Sequence, residues 1–137
     1  MKPITFFVPG DPVPQDRPRA CTIAGKIRMY DPKTSVDWKK VVAQVASLQF
    51  NRWCGEGALQ MTLHFHLPMS DTMRKKCKTI TPQHTKKPDL DNLAKAIKDA
   101  LSGICYKDDC QIVALILEKE YAATNQNTGV CIFIEDV

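Results

Sequence analysis

Apolar and polar residues along this chain fall into blocks whose spacing predicts its elements. Residues 3 to 9 form a short β-rich run ended by Pro9-Gly10, and the Pro-, Arg- and Gly-rich stretch from there to Pro32 reads as a long loop. From Ser35 to about Phe50, Trp38, Val41, Val42, Val45 and Leu48 recur at helical spacing with Lys39, Lys40, Gln44 and Ser47 opposite them, which predicts an amphipathic helix. Leu59, Met61, Leu63, Phe65 and Leu67 alternate with Gln60, Thr62, His64 and His66, the period of a strand with one buried face. A short helix is expected from Ser70, with Asp71 in its first turn. A second clear helix runs from about Leu90 to Ser102, where Leu90, Leu93, Ala94, Ile97, Leu101 and Ile104 form one stripe and Gly103 is placed to stop it. Within Gln111 to Tyr121, the run from Ile112 to Leu117 is too apolar for a one-faced strand and predicts a central place in a sheet. A turn around Asn125 to Gly129 leads to a last strand carrying Val130, Ile132 and Ile134. This order predicts an α/β (α+β) fold as a single domain over residues 1–137, with one mixed sheet of about four strands and two main helices on a face.

Length and charge narrow the function only a little. The 137 residues, 44% hydrophobic, suffice for one globular core, and a net charge of +4 does not by itself announce a nucleic-acid binder. Distribution says more, because basic residues cluster at Arg17 and Arg19, at Arg74, Lys75, Lys76 and Lys78, and at Lys86 and Lys87. The opening apolar run is too short for a signal peptide or a membrane span, so a cytoplasmic protein is expected. The six cysteines are scattered without a CxxC pair and read as reduced thiols, and Cys105 and Cys110 lack the second ligand pair of a structural zinc site. His64 and His66 point the same way from one strand, but with no third ligand evident nearby they read as a solvated outer face.

The informative segment is Lys86-Lys87-Pro88-Asp89-Leu90-Asp91-Asn92-Leu93-Ala94-Lys95, followed by Asp99 and then Asp108-Asp109. At about 100° per residue, Asp91, Lys95 and Lys98 share one flank of the helix, and the i, i+4 spacing lets Asp91 and Lys95 meet. Asp89 follows Pro88 at the helix entrance, where an extended or capping conformation could bring its carboxylate to the same site. A purely structural account is available: Asp89 as N-cap, Asp91 favoured by the helix dipole, and Asp91 with Lys95 as a surface ion pair. That account leaves Asp108-Asp109 unexplained, because a turn there needs at most one Asp. The alternative is a site for Mg²⁺, which takes carboxylates, waters and substrate phosphate, with Asp89, Asp91 and Asp109 as ligands and Lys95 to offset charge growing on phosphoryl oxygens.

The same segment resembles the RusA family of crossover junction endodeoxyribonucleases, the Holliday junction resolvases. The family's hallmark is an Asp-x-Asp-Asn-Leu run, a lysine four residues after the second Asp, and a later Asp-Asp pair, here Asp89 to Leu93, Lys95 and Asp108-Asp109. Gln111-Ile112-Val113 fits the strand that follows, and Pro12-Val13-Pro14 with Arg17-Pro18-Arg19 looks like the phage-borne branch. The resemblance implies a homodimer that binds Mg²⁺, with Mn²⁺ as a substitute, and resolves four-way DNA junctions by paired symmetric nicks in recombination and repair. It implies Asp89, Asp91 and Asp109 as metal-binding acids, Lys95 as a phosphate contact and Asp108 as a helper. Arg17, Arg19, Lys75, Lys76, Lys86 and Lys87 are the candidate DNA contacts, which would make binding salt-dependent without base specificity. Trp38, the first helix and the strand edges are candidates for the dimer contact, and His84 carries no assigned role. A weakly catalytic branched-DNA-binding protein and a nuclease for flaps are the competing readings.

Overall fold

The computed structural model describes residues 3–15, 19–30, 33–49 and 54–137, with residues 19–21, 23 and 27–30 as backbone only. Strands β1 (Ile4–Pro9), β4 (Leu59–Leu67), β5 (Ile112–Tyr121) and β6 (Gly129–Asp136) form a mixed sheet in the order β1-β6-β4-β5. β6 runs antiparallel to both β1 and β4, and β5 runs parallel to β4, so β1, β4 and β5 all point one way. The helices are α1 (Lys33–Gln49), the short α2 (Asp71–Lys76) and α3 (Leu90–Leu101).

Alternation places one face of the sheet against the helices. Met61, Leu63 and Phe65 of β4 and Val130, Ile132 and Ile134 of β6 are buried with Trp38, Val42 and Ala46 of α1 and Leu93, Ile97 and Leu101 of α3. Each large side chain so buried contributes about 1.5–3 kcal/mol of transfer free energy. α3 stops where the stripe ends: Ser102 caps it and Gly103 follows at φ 84°, a left-handed turn that glycine enters without a Cβ penalty. Ser70 caps α2 by accepting from the Met73 amide at 3.2 Å.

Three expectations change. The stretch read as a long loop contains a hairpin, β2 (Arg19–Ile23) and β3 (Lys26–Tyr30), turned by Ala24 and Gly25, both at positive φ. Two left-handed residues are the turn that suits the twist of paired strands. β5 is an edge strand rather than a central one, and its apolar residues are not all covered: Val113 is 61% exposed and Ile116 45%. Trp38 belongs to the core and is unavailable as a surface contact, while Val41 and Leu48 of α1 face outward. Among the described residues, no helix is long and apolar enough to cross a membrane.

Candidate active site

β1, β4 and β5 share a direction, so their carboxyl ends lie together, and the start of α3 lies there too. The segment after β1 reaches α3 through a hydrogen bond from the Gln15 amide to the Asn92 carbonyl, 2.9 Å. Pro12, Val13 and Pro14 then line a cavity of about 410 Å³ with Lys87, Pro88, Asp89 and Asn92. From the far edge, Lys119 Nζ of β5 donates to the carbonyls of Lys86 (2.7 Å) and Pro88 (2.9 Å), bracing the turn that delivers Asp89. Nothing in the sequence pattern singled out Lys119, which stands between Glu118 and Glu120 like one more charged residue of an exposed strand end.

Asp89 occupies the N-cap position in an extended conformation (φ −76°, ψ 146°), yet its side chain makes no capping hydrogen bond. The carboxylates of Asp89 and Asp91 are both exposed at this end, so the simple capping explanation fails for Asp89. Lys95, one turn further on, pairs with Asp99 at 3.7 Å, the other i, i+4 partner open to it. Lys86 and Lys87 flank the acids and are exposed.

The basic residues of α2 gather at the same end. Arg74 donates to the Ala123 carbonyl (3.0 Å) and to Asn125 Oδ1 (2.7 Å), tying α2 to the β5–β6 turn, whereas Lys75 and Lys76 are exposed. Arg17 and the Arg19 side chain lie outside the described residues. His84 is buried against the Tyr121 ring, with centroids 4.4 Å apart. Burial, and then the Lys119 ammonium, push its pKa down, so it is a packed neutral ring rather than a surface contact.

Asp108 and Asp109 stand at the opposite end. Asp108 caps a single 3₁₀ turn, Asp109–Gln111, accepting from the Cys110 amide at 3.1 Å. Gln111 closes the box: its Oε1 accepts from the amides of Lys107 (2.8 Å) and Asp108 (3.1 Å), and its Nε2 donates to the carbonyls of Gly55 and Gly57. The Cys110 amide, and next a hydrogen bond with the Asp109 side chain, hold the Asp108 carboxyl below the usual aspartate range. Asp108 therefore has a structural occupation, and Asp109, although its side chain bonds Asp108, is not one of the two side chains that form the capping box.

Buried Tyr106, three residues before Asp109, packs against the end of α3. Its hydroxyl donates to the Lys98 carbonyl at 2.8 Å, and its pKa is raised by burial and then by nearby acidic groups that include Asp109 and Asp99. The 3₁₀ turn that Asp109 opens contacts α3, so Asp109 lies beside the last turns of that helix. Ten residues of helix separate that level from Asp89, about 15 Å at 1.5 Å per residue. Asp89 and Asp91 are together and Asp109 is apart, so one chain alone does not gather the three acids. Among the described residues, the one group of three or more His, Cys, Asp or Glu with ligand atoms within 4.8 Å is His64, His66 and Glu120.

A family model described as Endodeoxyribonuclease RusA matches residues 9–135, nearly the whole chain. The chain belongs to the RusA family. RusA membership makes it an endodeoxyribonuclease in class, and the match spans both acidic segments, the bracing lysine, all of β4 and β5 and most of β6. Uncharacterized protein YqaN of Bacillus subtilis (strain 168) is 40% identical over 127 residues, which cover 87% of this chain and 88% of the relative.

Proposed function

We propose that this chain is a Mg²⁺-dependent endonuclease that resolves four-way DNA junctions by paired, symmetric phosphodiester hydrolysis, acting as a homodimer in recombination and repair. The observation that carries the reading is the pair of exposed carboxylates, Asp89 and Asp91, at the start of α3, without the capping bond that would explain Asp89 and between exposed lysines suited to DNA phosphates. Oxygen donors of this kind suit a hard cation, so Asp89, Asp91 and Asp109 would hold Mg²⁺ or Mn²⁺. When bound, the ion would supply Lewis-acid polarisation of the scissile phosphate and a more acidic water. Lys95 would offset charge growing on the phosphoryl oxygens, and Lys75, Lys76, Lys86 and Lys87 would hold the flanking backbone.

Dimerisation bears on the separated acids. The free edge of β5 carries exposed Val113 and Ile116, and two copies joined along this edge by a two-fold axis must pair antiparallel. That arrangement brings the Asp109 end of one strand alongside the Lys119 end of the other, where Pro88 and Asp89 are braced. Each site would then combine Asp89 and Asp91 with Asp109 of the partner subunit. A four-way junction has an approximate two-fold axis of its own, so two such sites could address opposed strands.

The test is strand cleavage of a synthetic four-way junction, a linear duplex and a flap, with Mg²⁺ or EDTA, by wild type and Asp91→Asn. The reading expects symmetric Mg²⁺-dependent nicks in the junction, reduced about a thousandfold in Asp91→Asn while binding persists. Binding without cleavage under any metal would make the protein a branched-DNA binder, and preferential cutting of the flap would replace the junction as substrate.

A further inference from the structure

The face of the sheet without α1 and α3 carries a second cluster, away from all the acids discussed above. β4 pairs with β5 so that His64 stands opposite Glu118 and His66 opposite Glu120, and with β6 so that His64 stands opposite Cys131. Residues directly opposite in a ladder share a face, which puts all five side chains on this outer side. Glu120 Oε1 lies 3.2 Å from His64 Nε2 and 3.1 Å from His66 Nδ1. The two imidazoles stack with centroids 4.6 Å apart and planes at 22°.

Two donors bound at about 2.0–2.1 Å in a tetrahedral zinc site stand about 3.3 Å from one another. The imidazole–carboxylate separations are already close to that spacing. His66 turns its other nitrogen, Nε2, toward Cys131 Sγ at 3.8 Å. A partner on the non-ligating nitrogen is what usually fixes ring orientation and tautomer in a metal-bound histidine. The side chains of His64, His66 and Glu120 keep 35%, 23% and 53% of their surface, which leaves a solvent-facing approach for a fourth ligand.

We propose that His64, His66 and Glu120 form a binding site for a divalent transition-metal ion of the zinc type, with Cys131 orienting His66 and water completing the shell. Imidazole favours Zn²⁺, Co²⁺, Ni²⁺ or Cu²⁺, whereas Mg²⁺ prefers all-oxygen sites. The site is therefore chemically distinct from the carboxylate site of the nuclease and does not rest on that reading. An ion held here clips the edge strand β5 to β4, so binding should stabilise the folded chain.

The experiment titrates the EDTA-stripped, full-length chain with Co²⁺, read by visible absorption, and with Zn²⁺ against a chromophoric chelator, both in excess Mg²⁺. The expected result is one equivalent bound despite the Mg²⁺, with a raised thermal midpoint. His64→Ala/His66→Ala should lose that equivalent and the thermal gain, and Glu120→Gln should bind at least about tenfold more weakly. Cys131→Ser should weaken binding by about tenfold, the low end for a partner of a ligating histidine. Glu120→Gln keeps its size at an exposed position, so it carries the test if the double variant fails to fold. No bound equivalent, displacement by Mg²⁺, or undiminished binding by either the double variant or Glu120→Gln would overturn the proposal.

Discussion

The two ends of the sheet carry acidic pairs that look alike in sequence and are used differently. At the carboxyl ends of β1, β4 and β5, Asp89 and Asp91 stand exposed, and the scaffold around them is held by others: Lys119 grips the turn, and Gln15 bonds α3. At the other end, Asp108 is itself the scaffold, engaged by the Cys110 amide within a capping box. A carboxylate whose neighbours do the structural work is available for chemistry. One that closes a turn is bound to a local task, and of this second pair Asp109 stands outside the capping box.

The largest effect is expected when variants of the two acidic pairs are mixed. Asp91→Asn and Asp109→Asn should each lose junction cleavage by about a thousandfold, with stability changed by no more than about 0.5 kcal/mol, as surface substitutions usually do. Re-annealed together from denaturant, they should recover up to roughly a quarter of wild-type nicking. Half of the random dimers are mixed, and each would hold one intact site if the acids come from different copies. No recovery, checked against confirmed mixed dimers, would mean that the acids act within one chain. Next in size, Val113→Lys should place a charge on the β5 edge, shift the protein to monomer in analytical ultracentrifugation, and reduce cleavage along with it.

Smaller effects sharpen the contrast at Asp108. Asp108→Ala should lower the thermal midpoint by a few degrees while leaving cleavage within several-fold of wild type. The folded carboxyl titrates below its usual value, so its stabilisation is complete above the ordinary aspartate range and is lost as pH falls through the depressed pKa. The stability gap between wild type and Asp108→Ala should therefore be full at neutral pH and close in strong acid, as followed by thermal melts. Smallest is Lys75→Ala, which should weaken binding to every DNA alike and reduce the slope of log K against log salt by about 1.

Much of this was legible in the chain. The stripe through Leu93, Ile97 and Leu101 and the alternation from Leu59 to Leu67 gave α3 and β4 within a residue or so, because each has one dry face and one wet one. β5 misled for the opposite reason. Its apolar residues on both sides imply burial on both sides, but the strand lies at an edge and exposes Val113 and Ile116. The motif acids were visible as a group, whereas their separation along α3 depends on where Tyr106 packs. Glu120 could not be paired with His64 and His66 from the sequence either, since parallel register between β4 and β5 is set by the crossover through α3 rather than by a local turn.

Lys119 gives the edge strand a second office. Its backbone belongs to β5, and its ammonium holds the two carbonyls that orient the entry to Asp89. Strand and acid are thus linked like a lever and its load: a displacement of β5 along its length would pull on the turn at Pro88 and tilt the carboxylate beyond it. The outermost strand of this sheet and the entry to the acid are thus joined through a single side chain.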